Sequence, residues 1–157
     1  MVAAYGVSSG LRDAGELIGR LRRAAAELKV FAEAFEPKAI VSERQLLLAH
    51  KLAMDAFAEK RNIAKTMETE VLLRAAGTGK IGEAIERIGV KKPSGFLLLT
   101  DAEGSKLEAL LKAIEGKKVK AVFGGEMAAG IYGVGKTGGY SLEDLVLEKM
   151  AMLAAER

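Results

Sequence analysis

The sequence predicts an α/β fold. We expect a single layered domain with a central mixed β-sheet flanked by helices, closed by a C-terminal helix after a glycine-rich linker. Two observations carry this expectation. Segments whose apolar residues recur at every second position alternate with segments where they recur at i, i+3, i+4 and i+7, and such interleaved strands and helices pack as layers on one sheet. The chain has 157 residues, 50% of them hydrophobic, which is enough for one substantial core. The expected boundaries are a core domain over 1–123, a linker over 124–140 and a helix over 141–157 packed on the same domain.

Each element has its own signal. "MVAAYGV" reads as a first strand, stopped by Ser8, Ser9 and Gly10. From Leu11 to Leu28, the residues Leu17, Ile18, Leu21, Ala24, Ala25 and Leu28 mark one helical face. "KVFAEAFEP" alternates apolar and polar residues up to Pro37, which fits a strand exposed on one side. Ser42 followed by Gln45 is a capping-box signature. It opens a helix to about Lys60, with Leu46, Leu47, Ala49, Ala53, Met54 and Phe57 facing inward. "ETEVLLRAAG" is expected as the next strand, and Thr78 as the cap of a short helix from Gly79 to Ile88 that Gly89 ends. Pro93, Ser94 and Gly95 turn into the buried strand "FLLLTD". A helix from about Glu103 to Ile114 stops at Gly116, and "KKVKAVF" is the last strand. After the glycine-rich stretch, Ser141 with Asp144 caps the closing helix.

Composition limits the chemistry. Lys and Arg number 24 against 21 Asp and Glu, a net charge of +3 that permits nucleic-acid contact where the cations cluster. There is no cysteine, so disulfides and thiolate metal sites are excluded, and the single histidine, His50, excludes a multi-histidine site. The start of the chain lacks the pattern of a signal peptide, and no apolar run approaches a membrane span. A cytoplasmic domain is expected. His50 reads as an ordinary helix residue, because no base partner or second ligand lies near it in sequence.

"GIYGVGKT", residues 130 to 137, matches the phosphate-loop pattern G-x-x-x-x-G-K-[ST]. A working loop needs a strand running into its first glycine and a helix starting at the Lys-Thr pair. Here "GGEMAA" separates Gly130 from the preceding strand, and Gly138 and Gly139 follow Lys136 and Thr137. Glycine is a poor helix starter, so a linker is the simpler account. A small nucleotide-binding protein using Gly130, Gly135, Lys136 and Thr137 remains the alternative, with Asp101 at the end of "FLLLTD" as a magnesium partner. A second Gly-Lys stands in "AAGTGKIGEA". Its turn is too short for a triphosphate, but Thr78, Gly79 and Lys80 could meet one phosphate at a helix N-terminus. An ordinary strand-to-helix connection explains the same letters.

The block from Ser42 to Gly89 is the most distinctive stretch: an alanine-rich helix, then "RNIAKTMETEVLLRAAGT", then "KIGEAIERIGV". With the closing "LEDLVLEKMAMLAAER", it resembles the Cgi-type accessory subunit of the KEOPS complex, also known as the PRPK-binding protein family. The resemblance covers about half of the chain. The turn carries Gly79 and Lys80 where family members often show arginine and glutamine. The resemblance implies a non-enzymatic role without cofactors or catalytic metal of its own. It implies direct docking on a small Bud-type kinase-like ATPase, and indirect association with Kae-type and Pcc-type subunits. It also implies binding of tRNA, including the 3′ CCA end, for threonylcarbamoyladenosine synthesis.

Two residue sets follow. Ile81, Ala84, Ile85 and Ile88 form an i, i+3, i+4, i+7 stripe that either packs on the sheet or, with Gly89, meets the kinase-like partner. Lys51, Lys60, Arg61, Lys65, Arg74 and Lys80 lie within thirty residues. They form either a solvated basic face or a phosphate track, with Asn62 available to a base edge and Thr78 and Gly79 at its end. Aromatics are only 5%, too few for an extended stacking platform.

Overall fold

Four strands form one sheet in the order β2-β3-β1-β4: β1 (Ala3–Ser9), β2 (Ala32–Phe35), β3 (Phe96–Thr100) and β4 (Gly116–Val119). The computed structural model describes residues 1–125 and 141–155. Among these residues are six α-helices: α1 (Ala14–Leu28), α2 (Glu43–Ala58), α3 (Met67–Ala76), α4 (Ile81–Ile88), α5 (Gly104–Ala113) and α6 (Leu142–Ala155). The expected α/β class holds, although each of the three strand pairings is antiparallel where a mixed sheet was expected. The chain forms two compact units, Met1–Pro37 with Val90–Val122, and Lys38–Gly89 with Phe123–Arg157.

The first unit holds the sheet. Residues of alternate parity on β1 and β3, Val7, Phe96 and Leu98, join Leu17, Leu21 and Ala24 of α1 and Leu107, Leu110 and Leu111 of α5 in one buried cluster. α1 starts one turn later than Leu11, because the Asp13 carboxylate accepts the N–H of Glu16 and fixes the cap there. Ser9 ends β1 inside the fold: its hydroxyl donates to the Ile114 carbonyl at 2.5 Å and accepts from Leu11 N–H at 3.1 Å. Asp101 likewise does structural work, accepting the N–H of Phe31 at 2.8 Å.

β2 is not exposed on one side as its alternation suggests; all four of its residues are buried. Glu33 is 3% exposed. Its carboxylate accepts the N–H of Ala34 at 2.9 Å and faces the Arg22 guanidinium at 3.5 Å. A charged side chain inside a strand therefore marks a satisfied buried group here, since burial without partners would be costly.

The second unit is helical: α2 packs on α3 and α6, and α3 on α4 and α6. The segment expected as the strand "ETEVLLRAAG" is helix α3. Thr66 caps it by accepting the N–H of Thr69, Glu68 and Glu70 favour its positive end, and Gly77 closes it at φ 65. Every residue from Glu70 to Ala76 is buried, so no amphipathic period distinguishes this helix from a buried strand. The capping box at Ser42 does not form either. Gln45 is fully buried, with its carbonyl oxygen on the N–H of Val41 and its amide nitrogen donating to the Ala75 carbonyl. Leu46, Ala49 and Ala53 of α2 face inward as expected, but Met54 is 54% exposed. The closing helix α6 begins where expected, with Asp144 N–H on the Ser141 hydroxyl.

One buried carboxylate organises the α2–α3 connection. Glu70 is 0% exposed; one of its oxygens accepts the N–H of Ile63 at 2.8 Å and of Ala64 at 2.7 Å. The other meets Arg74 Nε at 2.8 Å, one helical turn on. Arg74 Nη2 lies 2.8 Å from the same oxygen as an ion-pair contact, without hydrogen-bond geometry. Removing one member leaves the other charge buried alone. Arg74→Met should therefore cost about 3–5 kcal/mol in urea unfolding and speed amide exchange at Ile63 and Ala64. The exposed Lys65→Gln should stay within about 0.5 kcal/mol of the parent.

Glycines give a second test. A Cβ at Gly6 on β1 would sit 2.7 Å from the Val119 carbonyl oxygen and 2.8 Å from Ala121 Cα, both rigid backbone. Gly6→Ala should destabilise by about 1–3 kcal/mol in thermal melts. Gly19, in the middle of α1 with nothing within 4 Å, should gain about 0.4–1 kcal/mol as alanine.

Candidate functional site

The residues singled out for RNA and partner contact all lie in the helical unit, but the fold sorts them into different roles. Lys51 is exposed on α2, beside a shallow groove of about 330 Å3 lined by Arg44, Leu47, Leu48, Lys51 and Leu147. Arg44 bridges from this groove to Glu143 of α6 at 2.8 Å. Lys60, Arg61, Asn62 and Lys65 share the connection between α2 and α3, and all four are exposed. Lys60 takes a left-handed backbone, φ 58, which turns the chain out of α2.

Two of these connection residues already have local work. Arg61 donates from Nε to Glu59 at 2.7 Å and from Nη1 to the Ala154 carbonyl at 3.1 Å, so it caps the C-terminal end of α6. The Asn62 amide donates to the Ala64 carbonyl at 2.7 Å. Lys51, Lys60 and Lys65 project into solvent.

Arg74 is a clear correction. It was expected on a strand leading to the Thr78 turn, as a member of the basic set. It lies instead on α3, 1% exposed and paired with Glu70. It cannot reach a phosphate without unfolding the helix around it. Arg74 acts on the cationic connection only indirectly, by holding the carboxylate that fixes the Ile63 and Ala64 amides.

The turn after α3 also differs from expectation. Thr78 is 9% exposed and does not cap the next helix; Lys80 occupies that position, without a side-chain cap. The Thr78 hydroxyl accepts the N–H of Lys80 at 3.2 Å and donates to Glu83 at 3.3 Å. Glu83 also faces Lys80 Nζ at 4.0 Å and Arg87 at 3.0 Å. This carboxylate offsets positive charge at the turn where a phosphate was expected. The turn and the 60–65 connection lie at opposite ends of α3, about 15 Å apart along a ten-residue helix. They do not form one continuous track along that helix.

The apolar stripe of α4 divides in two. Ala84 and Ile88 are 0% exposed, whereas Ile81 is 45% and Ile85 is 52% exposed. Gly89 is buried where the helix ends; a Cβ there would meet the Ile85 carbonyl oxygen at 2.5 Å. So Ala84, Ile88 and Gly89 belong to the packed interior, and Ile81 with Ile85 present an apolar pair one turn apart on the surface.

Gly130, Gly135, Lys136 and Thr137 lie outside the described residues. Among the described residues, no group of three or more His, Asp or Glu side chains could hold a metal ion, and no helix is long and apolar enough to cross a membrane. The site residue that sequence reasoning missed is Glu70. Its four-residue spacing to Arg74 is the mark of a helical ion pair, and it becomes legible once α3 is read as a helix.

The model of the kinase-binding protein CGI-121 family matches residues 9–154. A curated relative, the KEOPS complex subunit Cgi121 of Pyrococcus abyssi, is 41% identical over 54 residues. That stretch spans 34% of this chain and 32% of the relative, about a third of its length. The family match runs through both units and nearly the whole sequence: the chain belongs to the CGI-121 family of kinase-binding proteins.

Proposed function

We propose that this chain is a non-catalytic, cytoplasmic subunit of a KEOPS-type tRNA-modification complex. It docks on and regulates a Bud-type kinase-like ATPase, joins Kae-type and Pcc-type subunits through the same assembly, and binds tRNA, including its 3′ CCA end. Nucleotide and catalytic metal belong to the other subunits in this reading, and threonylcarbamoyladenosine synthesis is the reaction served.

The observation that carries the docking half is the exposed pair Ile81 and Ile85 on a helix anchored by fully buried Ala84 and Ile88. A short amphipathic helix held rigidly from below can offer its outer apolar residues to a partner groove. The tRNA half draws on the family and on Lys51, Lys60 and Lys65, which remain exposed on α2 and its connection. Arg61, Asn62 and the Thr78–Lys80 turn, engaged as described, have less to give to RNA.

Because Ile85 is half exposed, its replacement leaves the core intact, and folding is separable from docking. Ile85→Glu should keep the parental melting temperature within a few degrees. It should lower affinity for the kinase-like subunit at least about tenfold, since an apolar contact is lost and a charge is desolvated. A folded variant that co-purifies with that subunit as the parent does places the interface elsewhere. For the tRNA half, transcripts trimmed of CCA should bind much more weakly than intact ones, and equal binding would remove the 3′ end from the reading.

A further inference from the structure

We infer that the end of the sheet formed by β4 and the turn before β3 is a contact surface for the phosphate backbone of RNA. The inference rests on the tRNA-binding reading and assigns part of that contact to the sheet unit, which holds none of the RNA-contact residues named above.

Charge distribution is the starting point. Residues 1–37 and 90–122 carry twelve Lys and Arg against nine Asp and Glu, whereas the rest of the chain balances at twelve of each. The whole net charge of +3 therefore falls on the sheet unit. Within that unit the segments 1–12, 90–100 and 116–122 contain no Asp or Glu at all. They contribute Arg12, Lys91, Lys92, Lys117, Lys118 and Lys120, and all six are exposed.

The fold brings these segments together at the end of β1 and along its β4 side. Ser9 N–H donates to the Pro93 carbonyl at 2.7 Å, which ties the Lys91–Lys92 turn to the end of β1. On the other side of the same strand, Ser9 pairs with Gly116, Ser8 with Lys117 and Val7 with Lys118. Adjacent carboxylates are committed elsewhere: Glu115 lies 3.3 Å from Arg20, and Asp13 caps α1. Lys118 Nζ stands 5.6 Å from the Tyr5 ring centroid, which holds that ammonium over the sheet.

The chemistry of this edge selects among occupants. β4 is one of the two edge strands, but it is only four residues long, and the chain beyond Val119 passes close to Gly6. That is a short edge for a strand-adding peptide. A second copy pairing edge to edge would bring lysines against lysines, which is repulsive. Point charges on flexible stems do suit a polyanion, whose phosphates they can follow without fixed geometry.

The test uses the full chain and tRNA, with fluorescence anisotropy over a range of salt. The variant K117Q/K118Q/K120Q removes exposed charge and the Lys118–Tyr5 contact, so its melting temperature should stay within a few degrees of the parent. Its tRNA affinity at low salt should fall on the order of tenfold or more, and the slope of log affinity against log salt should flatten by about two to three. The single changes Lys92→Gln and Lys117→Gln should each flatten it by about one. If the parent binds tRNA and the triple variant binds with the same affinity and slope, the surface is overturned and the tRNA reading stands. If the parent binds no tRNA, that reading fails and takes this surface with it. A polyglutamate peptide bound by the parent and lost in the variant, with tRNA binding unchanged, would assign the patch to an acidic protein and overturn the RNA contact.

Discussion

The helical unit depends on the Glu70 carboxylate. A connection of eight residues between α2 and α3 has no ladder to satisfy its backbone, and buried N–H groups must find partners. Glu70 supplies two acceptances to Ile63 and Ala64 with one oxygen and holds Arg74 with the other. Its place in the first turn of α3 also lets the helix dipole favour its charge. A buried ion pair is not by itself a source of net stability, since desolvation costs about as much as the attraction returns. What it provides here is arrangement: the connection that bears Lys60, Arg61, Asn62 and Lys65 is fixed from inside by a group that no apolar residue could replace.

The sheet unit was legible in the sequence, and the helical unit less so, for one physical reason. β1, β3, α1 and α5 show their periods because each has a wet side and a dry side, or a short apolar run bounded by turns. α3 has neither, being buried all round, and "VLLRAA" reads equally as strand or helix until its ends are considered. Thr66 and Gly77 are those ends, and Glu70 with Arg74 is the helical spacing between them. Missing the helix put Arg74 on the surface and made the basic residues look like one track. Ser42 and Gln45 misled for a related reason, because a buried glutamine is worth more bridging to Ala75 than closing a capping box. The stripe on α4 was found correctly, but its period could not say which members lie inside. That depends on the helices beneath it.

The division of that stripe bears on what α4 can do alone. A standard protein interface buries roughly 800 Å2 per partner, far more than two half-exposed isoleucines present. Docking through Ile81 and Ile85 would therefore recruit further surface of the same unit. Met54 on α2 and Met152 on α6 are exposed at 54% and 55%, and both are flexible apolar side chains of the kind that adapt to a partner. Charge does not oppose such an interface, because the helical unit balances to zero and Glu83 draws in both Lys80 and Arg87.

That balance supports the proposal that apolar docking belongs to the helical unit, while the excess of cations in the sheet unit adds a further surface for a polyanion. Burying a lysine in an apolar interface costs desolvation that a partner must repay, whereas a lysine on a phosphate track stays hydrated and gains from counterion release. The two kinds of surface therefore place opposite demands on nearby charge. Screening limits each to its own neighbourhood, since exposed charges more than about 8–10 Å apart interact weakly at physiological salt. A net charge of +3 averaged over 157 residues would attract RNA weakly. Exposed cations gathered from the end of β1 along β4, with the flanking carboxylates held by Arg20 and by the α1 cap, give a local field that the average conceals.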